Sequence, residues 1–282
     1  MIGSLNQYRH YYRLLPAFAG FLFLYNNVIY KMVLDWVSND NFSHGFLIPI
    51  ISGYLIWRRK DRLTQASISP SDTGLILLIF SLIFYFIANI GVEQFTMRFS
   101  MIMVILSLTV FLAGWECSRI LFLPIVYLVF MIPFPSIIWN KIAFPLKLFA
   151  TQMAVSVIQF FDIPVFGEGN IIHLANTTLE VVDACSGLRS LTSLLALSSA
   201  LALLTEHSGT KKFFIFLSAI PIAIFLNIIR LTITAILARH YGPDIAQGFL
   251  HEASGILIFI LSFFFLFAVN LLMSSIGRSV EK

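Results

Sequence analysis

The sequence predicts an all-α integral membrane protein, and three observations predict it. Of the 282 residues, 59% are hydrophobic and only 11% charged, against roughly 45–50% and 25% in an ordinary soluble domain. Mean hydropathy is +0.90, and apolar runs recur from end to end, so no stretch of about 100 residues is left for a separate soluble domain. The 18 Lys and Arg lie mainly in short loops between those runs. Despite a formal charge of +4 and a pI near 9.1, they read as topology signals and not as contacts to nucleic acid. A single membrane domain over residues 1–282 is expected.

A helix needs about 20 predominantly apolar residues to cross the hydrocarbon core, and about eight transmembrane helices are expected, near 15–34, 43–57, 73–91, 98–114, 119–134, 186–205, 213–237 and 254–274. No small-x-small cleavage site follows the first, so it reads as a retained helix. The second is followed by Arg58-Arg59-Lys60-Asp61-Arg62, a short positive loop of the kind that stays on the cytoplasmic side. Counting from there puts the N-terminus inside, Gly91–Met97 outside, Arg119 inside and Ile132-Pro133-Phe134-Pro135 outside. Lys211, Lys212, Arg278 and Lys282 then fall inside, so both termini are expected to be cytoplasmic in a cell (inner) membrane. Between Pro135 and Cys185 this register needs an even number of crossings. Trp139–Phe160 is interrupted by Lys141, Pro145, Lys147 and Gln152 and is expected to lie on the outer face as an amphipathic helix. Val165–Asp183, with Gly167, Gly169 and alternating apolar residues, is expected to form a short β-hairpin before the sixth span.

The chemistry concentrates at the outer ends of the last three spans. Of the two cysteines, Cys117 lies at the inner surface with no His nearby in sequence and reads as an incidental free thiol. Cys185 stands where an extended segment turns into a helix, in Val182-Asp183-Ala184-Cys185-Ser186-Gly187-Leu188-Arg189. A helix N-terminus favours the thiolate, and Arg189, four residues on, shares its helix face. The competing reading of Cys185 is a small packing residue. Arg230 lies in an otherwise apolar helix, near the outer leaflet, where an ionised group costs about 2.5 kcal/mol or more unless it snorkels or pairs. Asn227, three residues earlier, is on its face and is a candidate to hold the guanidinium. His251 opens the last span on the same side, where interfacial anchoring is its ordinary role. His44 and His173 are rival outward histidines, whereas His10 and His207 fall inside. Asp183 and Glu180 are candidates to orient His251 or bind positive groups, with a solvated hairpin edge as the plainer reading.

A thiol, an arginine and a histidine from separate helices provide a nucleophile, an anion stabiliser and a proton carrier, a set suited to acyl transfer. Acidic residues are confined to loops and helix ends, unlike the paired intramembrane carboxylates of aspartyl proteases or ion-coupled pumps. No metal-ligand spacing or Gly-rich phosphate loop occurs, and no cofactor is called for.

At these residues the chain resembles the exosortase/archaeosortase family of membrane cysteine sorting enzymes. The resemblance rests on Ala184-Cys185-Ser186-Gly187 with Arg189, Asn227-Ile228-Ile229-Arg230, and His251-Glu252 with Gly255. It extends to Ser43-His44-Gly45-Phe46 with Pro49 and to Met131-Ile132-Pro133-Phe134-Pro135, covering about 42–265. It implies Cys185, Arg230 and His251 as the catalytic set. It also implies substrates among exported proteins, often linked to extracellular polysaccharide, whose C-terminal sorting tail has a Pro-Glu-Pro-like motif, a transmembrane helix and a basic cluster. The expected activity is that of a cysteine protease/transpeptidase forming a thioester at the periplasmic face and passing the acyl group to water, an amine or a lipid. Its partners are then tailed proteins and membrane lipid, with no nucleic acid. Two other readings are a non-enzymatic transporter or assembly subunit for an exported polymer, with Arg230 binding an anionic substrate, and an intramembrane protease of ordinary turnover.

Overall fold

The structure, a computed structural model, describes residues 2–175, 177–181, 187–242 and 249–278. They divide into two compact units, Met1–Pro135 and Ser136–Lys282. Unit 1 contains α1 (Ile2–Ser38), a 3₁₀ segment Asp40–Phe46, α2 (Leu47–Trp57), α3 (Lys60–Gln65), α4 (Asp72–Ile90), α5 (Gln94–Ala113), α6 (Trp115–Tyr127) and a 3₁₀ segment Leu128–Met131. Unit 2 contains α7 (Ser136–Phe160), β1 (Val165–Glu168), β2 (Ile171–Leu174), β3 (Thr177–Glu180), α8 (Leu188–Leu204), α9 (Gly209–Tyr241) and α10 (Phe249–Arg278).

Among the described residues, six helices are long and apolar enough to cross a membrane: Leu15–Ser38, Asp72–Ile90, Gln94–Ala113, Ser136–Phe160, Gly209–Arg239 and Ser254–Ser275. Five coincide with expected spans. The expected spans at 43–57, 119–134 and 186–205 overlap the shorter helices α2, α6 and α8, of 11, 13 and 17 residues. Exposed faces such as Ile76, Ile79, Phe80, Ile83 and Ile87 on α4 form the apolar surface that a bilayer covers. The chain is an all-α multi-pass membrane protein with one small sheet.

Polar ties fix the neighbours in unit 1. Pro124 has no N–H to give to the carbonyl four residues back, a donor that a helix interior otherwise supplies. That carbonyl belongs to Ile120, and Arg59 Nη1 donates to it at 3.2 Å, while Ser52 Oγ donates to the carbonyl of Pro124 at 2.8 Å. Trp36 Nε1 donates to Met131 O at 2.9 Å. Gly45 presses on the same indole so closely that a Cβ would lie 2.3 Å from Trp36 Nε1. Two of the segments that carry the resemblance, 43–46 and 131–135, therefore meet around Trp36, and Gly45 is there for close approach. Arg98, the first residue of the span expected at 98–114, is 3% exposed and pairs with Asp35 Oδ2 at 2.6 Å.

In unit 2, α9 has 33 residues, about 50 Å at 1.5 Å per residue, longer than the hydrocarbon core. Its last turns pack Leu231, Ala235 and Ala238 against Ala150, Ala154 and Ile158 of α7 and against Ile172, Leu174 and Leu179 of the sheet. On its earlier turns Ile215, Ala219 and Ala223 meet Leu194 and Ala202 of α8 and Leu266 of α10. Small residues on all sides of α9 let the helices approach closely.

The stretch 139–160, expected as an amphipathic outer-face helix, is α7, which packs on α9 and is long and apolar enough to be a candidate span. Its polar interruptions Lys141 and Gln152 sit on its exposed side, while Ala143, Ala150 and Ala154 are buried, so the helix has a polar and an apolar face. One expectation needs correction. The expected hairpin is a three-stranded antiparallel meander, β1-β2-β3. Phe166 and Thr178 both register on His173, and Asn170 closes the end of the meander by accepting from Val181 N at 2.8 Å. Part of the second turn, at Asn176, lies outside the described residues.

Replacing Asp35 by Ala leaves the Arg98 guanidinium buried without its carboxylate. We expect a loss of about 2 kcal/mol, read as a lower thermal midpoint in detergent, with much of it regained by adding Arg98→Met. A midpoint equal to wild type in Asp35→Ala would contradict the tie.

Candidate active site

The site is built from the start of α8 upward. Gly187 caps this helix with φ +80°, in the left-handed region that glycine enters without a Cβ penalty. A Cβ at Gly187 would lie 2.9 Å from Asn227 Cγ and 3.0 Å from Nδ2, so the backbone of the cysteine motif rests directly on the Asn227 amide. Glycine is required there both by conformation and by space. The helix then runs back along α9, and Ser198 Oγ donates to Phe216 O at 3.4 Å, which fixes the two as antiparallel neighbours. A narrow cleft beside this contact is lined by Leu146, Phe149 and Ala150 of α7, Gly187 and Leu191 of α8, and Ile224 and Asn227 of α9.

Asn227 is 2% exposed and Arg230, one turn further along α9, is 6% exposed. Arg230 is therefore packed within the unit, and its side chain does not snorkel outward. Its neighbours along the helix, Leu226 and Leu231, are buried apolar residues. Thr232 Oγ1 turns back to Ile228 O at 2.9 Å and so adds no competing donor to the site. Arg189 is half-buried in the first turn of α8, the turn that meets Asn227.

The other end of the unit is marked by His207 Nε2 against Asn270 Oδ1 at 3.1 Å. From there α9 runs forward to Arg230 while α10 runs backward, past the Phe225–Phe265 ring contact at 6.5 Å, to its first turn at residues 249–252. The start of α8, the Asn227–Arg230 face and the start of α10 thus share one end of unit 2. Cys185 and Asp183 lie outside the described residues, as does the side chain of His251, although its backbone stands in the first turn of α10.

The remaining candidates are accounted for locally. His173 stacks on Phe166 with ring centroids 6.0 Å apart and lies 3.5 Å from Glu168 Oε2. Glu180 Oε1 is 3.5 Å from Asn170 Nδ2 on the exposed edge of β3. His44 is in the 3₁₀ segment of unit 1. Cys117, also in unit 1, is 5% exposed. Burial and the Glu116 carboxylate push its thiol up from the ordinary value, which disfavours the reactive thiolate.

Sequence reasoning placed Asn227 and Arg230 on one face but missed that Gly187 rests on Asn227. The glycine in the cysteine motif was the available signal. The buried Arg98–Asp35 pair was missed as well, and its signal was an arginine near the start of an apolar 20-residue helix.

The described residues define a multi-pass helical membrane protein in which the start of α8 rests on Asn227 beside a buried Arg230. Residues 36–268 match the family model described as transmembrane exosortase (Exosortase_EpsH), and the chain belongs to the exosortase family. No curated protein and no solved structure matches it.

The Gly187–Asn227 contact has a direct test. Gly187→Ala is expected to lower the thermal midpoint, and Asn227→Ala in the same chain to relieve part of that loss, giving a coupling of about 1 kcal/mol in a double-mutant cycle. Strict additivity of the two substitutions would contradict the contact.

Proposed function

We propose that this chain is an exosortase-type cysteine transpeptidase/protease that removes the C-terminal sorting tail of exported proteins at the outer, periplasmic face of the membrane. The observation that carries the reading is the seating of Gly187 on Asn227, one turn from a buried Arg230. Two residues of polypeptide reach about 7 Å at most, so the Cys185 motif is tethered to the Asn227–Arg230 face. A buried guanidinium suits a site that stabilises negative charge developing next to it.

The steps follow from the residue chemistry. The Cys185 thiolate attacks the scissile carbonyl of a substrate docked laterally in the bilayer. Arg230 holds the oxyanion, and collapse of the tetrahedral intermediate breaks the C–N bond. His251 gives its proton to the leaving amine, so the tail departs and the exported protein remains as a thioester on Cys185. An acceptor then attacks the thioester, passing its proton to His251 and returning the thiolate. Imidazole, with an unperturbed pKa near 6.5, serves both directions of transfer near neutral pH. Water as acceptor makes the reaction hydrolysis, and an amine or a lipid makes it transpeptidation. Asn227 positions Arg230, and Arg189 supplies a further cation in the turn that follows Cys185. Exported proteins with Pro-Glu-Pro tails, and membrane lipid, are the partners that the exosortase resemblance implies. The transporter reading differs in needing Arg230 but not the thiol.

The test is the mass of an exported reporter carrying such a tail, co-expressed with wild type or with Cys185→Ala at matched membrane levels. Tail loss with wild type alone is the expected result, and any mass added to the new C-terminus identifies the acceptor. Equal tail removal by the variant would overturn the thioester mechanism.

A further inference from the structure

A groove of about 390 Å³ opens on unit 1 between α4, α5 and α6. Its walls are Leu77 and Phe80 of α4, Met103 and Leu106 of α5, and Phe122 of α6, and Phe80 and Phe122 are more than half exposed. Both α4 and α5 are candidate spans, so these walls face hydrocarbon. The groove has one polar end, formed by Trp115 and Arg119 at the start of α6.

That end coincides with the ends of several helices. Ser69 N donates to Ala113 O at 3.2 Å, and Trp115 Nε1 donates to Thr73 Oγ1 at 3.0 Å, which joins the start of α6 to the start of α4. A tryptophan with its ring against apolar surface and its N–H bonded at a helix end is the residue type that marks a membrane–water boundary. From Ala113 back to Met103 is ten residues of α5, about 15 Å of rise. That is half the ~30 Å hydrocarbon thickness, so the groove has the depth of one leaflet.

Charge identifies the headgroup. Arg119 is exposed at the mouth. Arg59 is held at Ile120 O, next in sequence to Arg119, and it brings the basic run of residues 58–62 to the same end. Of the carboxylates nearby, Glu116 is taken by the amide and hydroxyl of Ser67, and Asp61 and Asp72 sit in the first turns of α3 and α4, where they serve the helix termini. Arg119 is thus an exposed cation at the end of an apolar channel one leaflet deep.

We propose that this groove is a binding site for one anionic phospholipid, its acyl chain between α4, α5 and α6 and its phosphate on Arg119 beside Trp115. The site is independent of the catalytic reading and holds whichever acceptor the enzyme uses. A basic side chain near the headgroup plane contributes roughly a fivefold preference for an anionic over a zwitterionic lipid.

The test is native mass spectrometry of the full chain released from vesicles of equal phosphatidylglycerol and phosphatidylcholine with identical acyl chains. Wild type is expected to retain phosphatidylglycerol about fivefold over phosphatidylcholine. Arg119→Gln, an exposed substitution that keeps side-chain length, is expected to bring the ratio near one, and Arg119→Lys to keep most of it. Met103→Trp, which fills the groove, is expected to lower retention of both lipids. Equal retention of the two lipids by wild type, or an unchanged preference in Arg119→Gln, would overturn the proposal. A preference unchanged by Met103→Trp, at undiminished occupancy, would show that the headgroup binds without the groove and would overturn the acyl-chain assignment.

Discussion

A polar group inside a lipid-facing bundle has no water to turn to, and four such groups in unit 1 are answered by distant parts of the chain. The carbonyl freed by Pro124 takes Arg59, the carbonyl of Pro124 takes Ser52, that of Met131 takes Trp36, and Arg98 takes Asp35. These ties join residues 61 to 95 positions apart. Apolar packing does not distinguish a neighbouring helix from a lipid tail, because both are equally apolar. Polar ties do distinguish them, and so they specify which helix lies beside which in unit 1.

In unit 2 the same constraint acts around one arginine. Small residues, Ala219, Ala223, Ala235 and Ala238, run along α9 and let α7, α8, α10 and the sheet approach it closely. Arg230 is enclosed as a result, and Gly187 is brought onto Asn227. An enclosed guanidinium costs more than an exposed one and interacts more strongly with any negative charge that forms next to it.

Much of this was legible in the sequence because a bilayer imposes a length scale. Runs of about 20 apolar residues correspond to α1, α4, α5, α9 and α10, and the basic loop after α2 and the glycine before α8 are visible as residues. What was not legible depended on which face of a helix a residue occupies. Lys141 and Gln152 look like interruptions in a linear reading of α7, yet in three dimensions they lie on one side while Ala143, Ala150 and Ala154 make the buried seam. Arg98 looks like the start of a span because its partner, Asp35, lies 63 positions away at the end of another helix. The third strand of the meander was folded into a hairpin expectation because Gly169 announces the first turn and no second glycine announces the other. At the site, the pairing of Asn227 with Arg230 followed from helical spacing. The contact of Gly187 with Asn227 did not, since it depends on how α8 and α9 pack.

The central claim is that the Cys185 thiol, two residues before Gly187, becomes acylated, and the covalent state of Cys185 tests it most directly. Intact-mass and peptide analysis of wild-type protein, acid-quenched during turnover of a tailed substrate in membranes, would reveal the acyl group. The account predicts a hydroxylamine-sensitive thioester on Cys185 that is absent when Arg230 is replaced by Ala in the same chain. Tail release that proceeds with Cys185 unmodified throughout would contradict it.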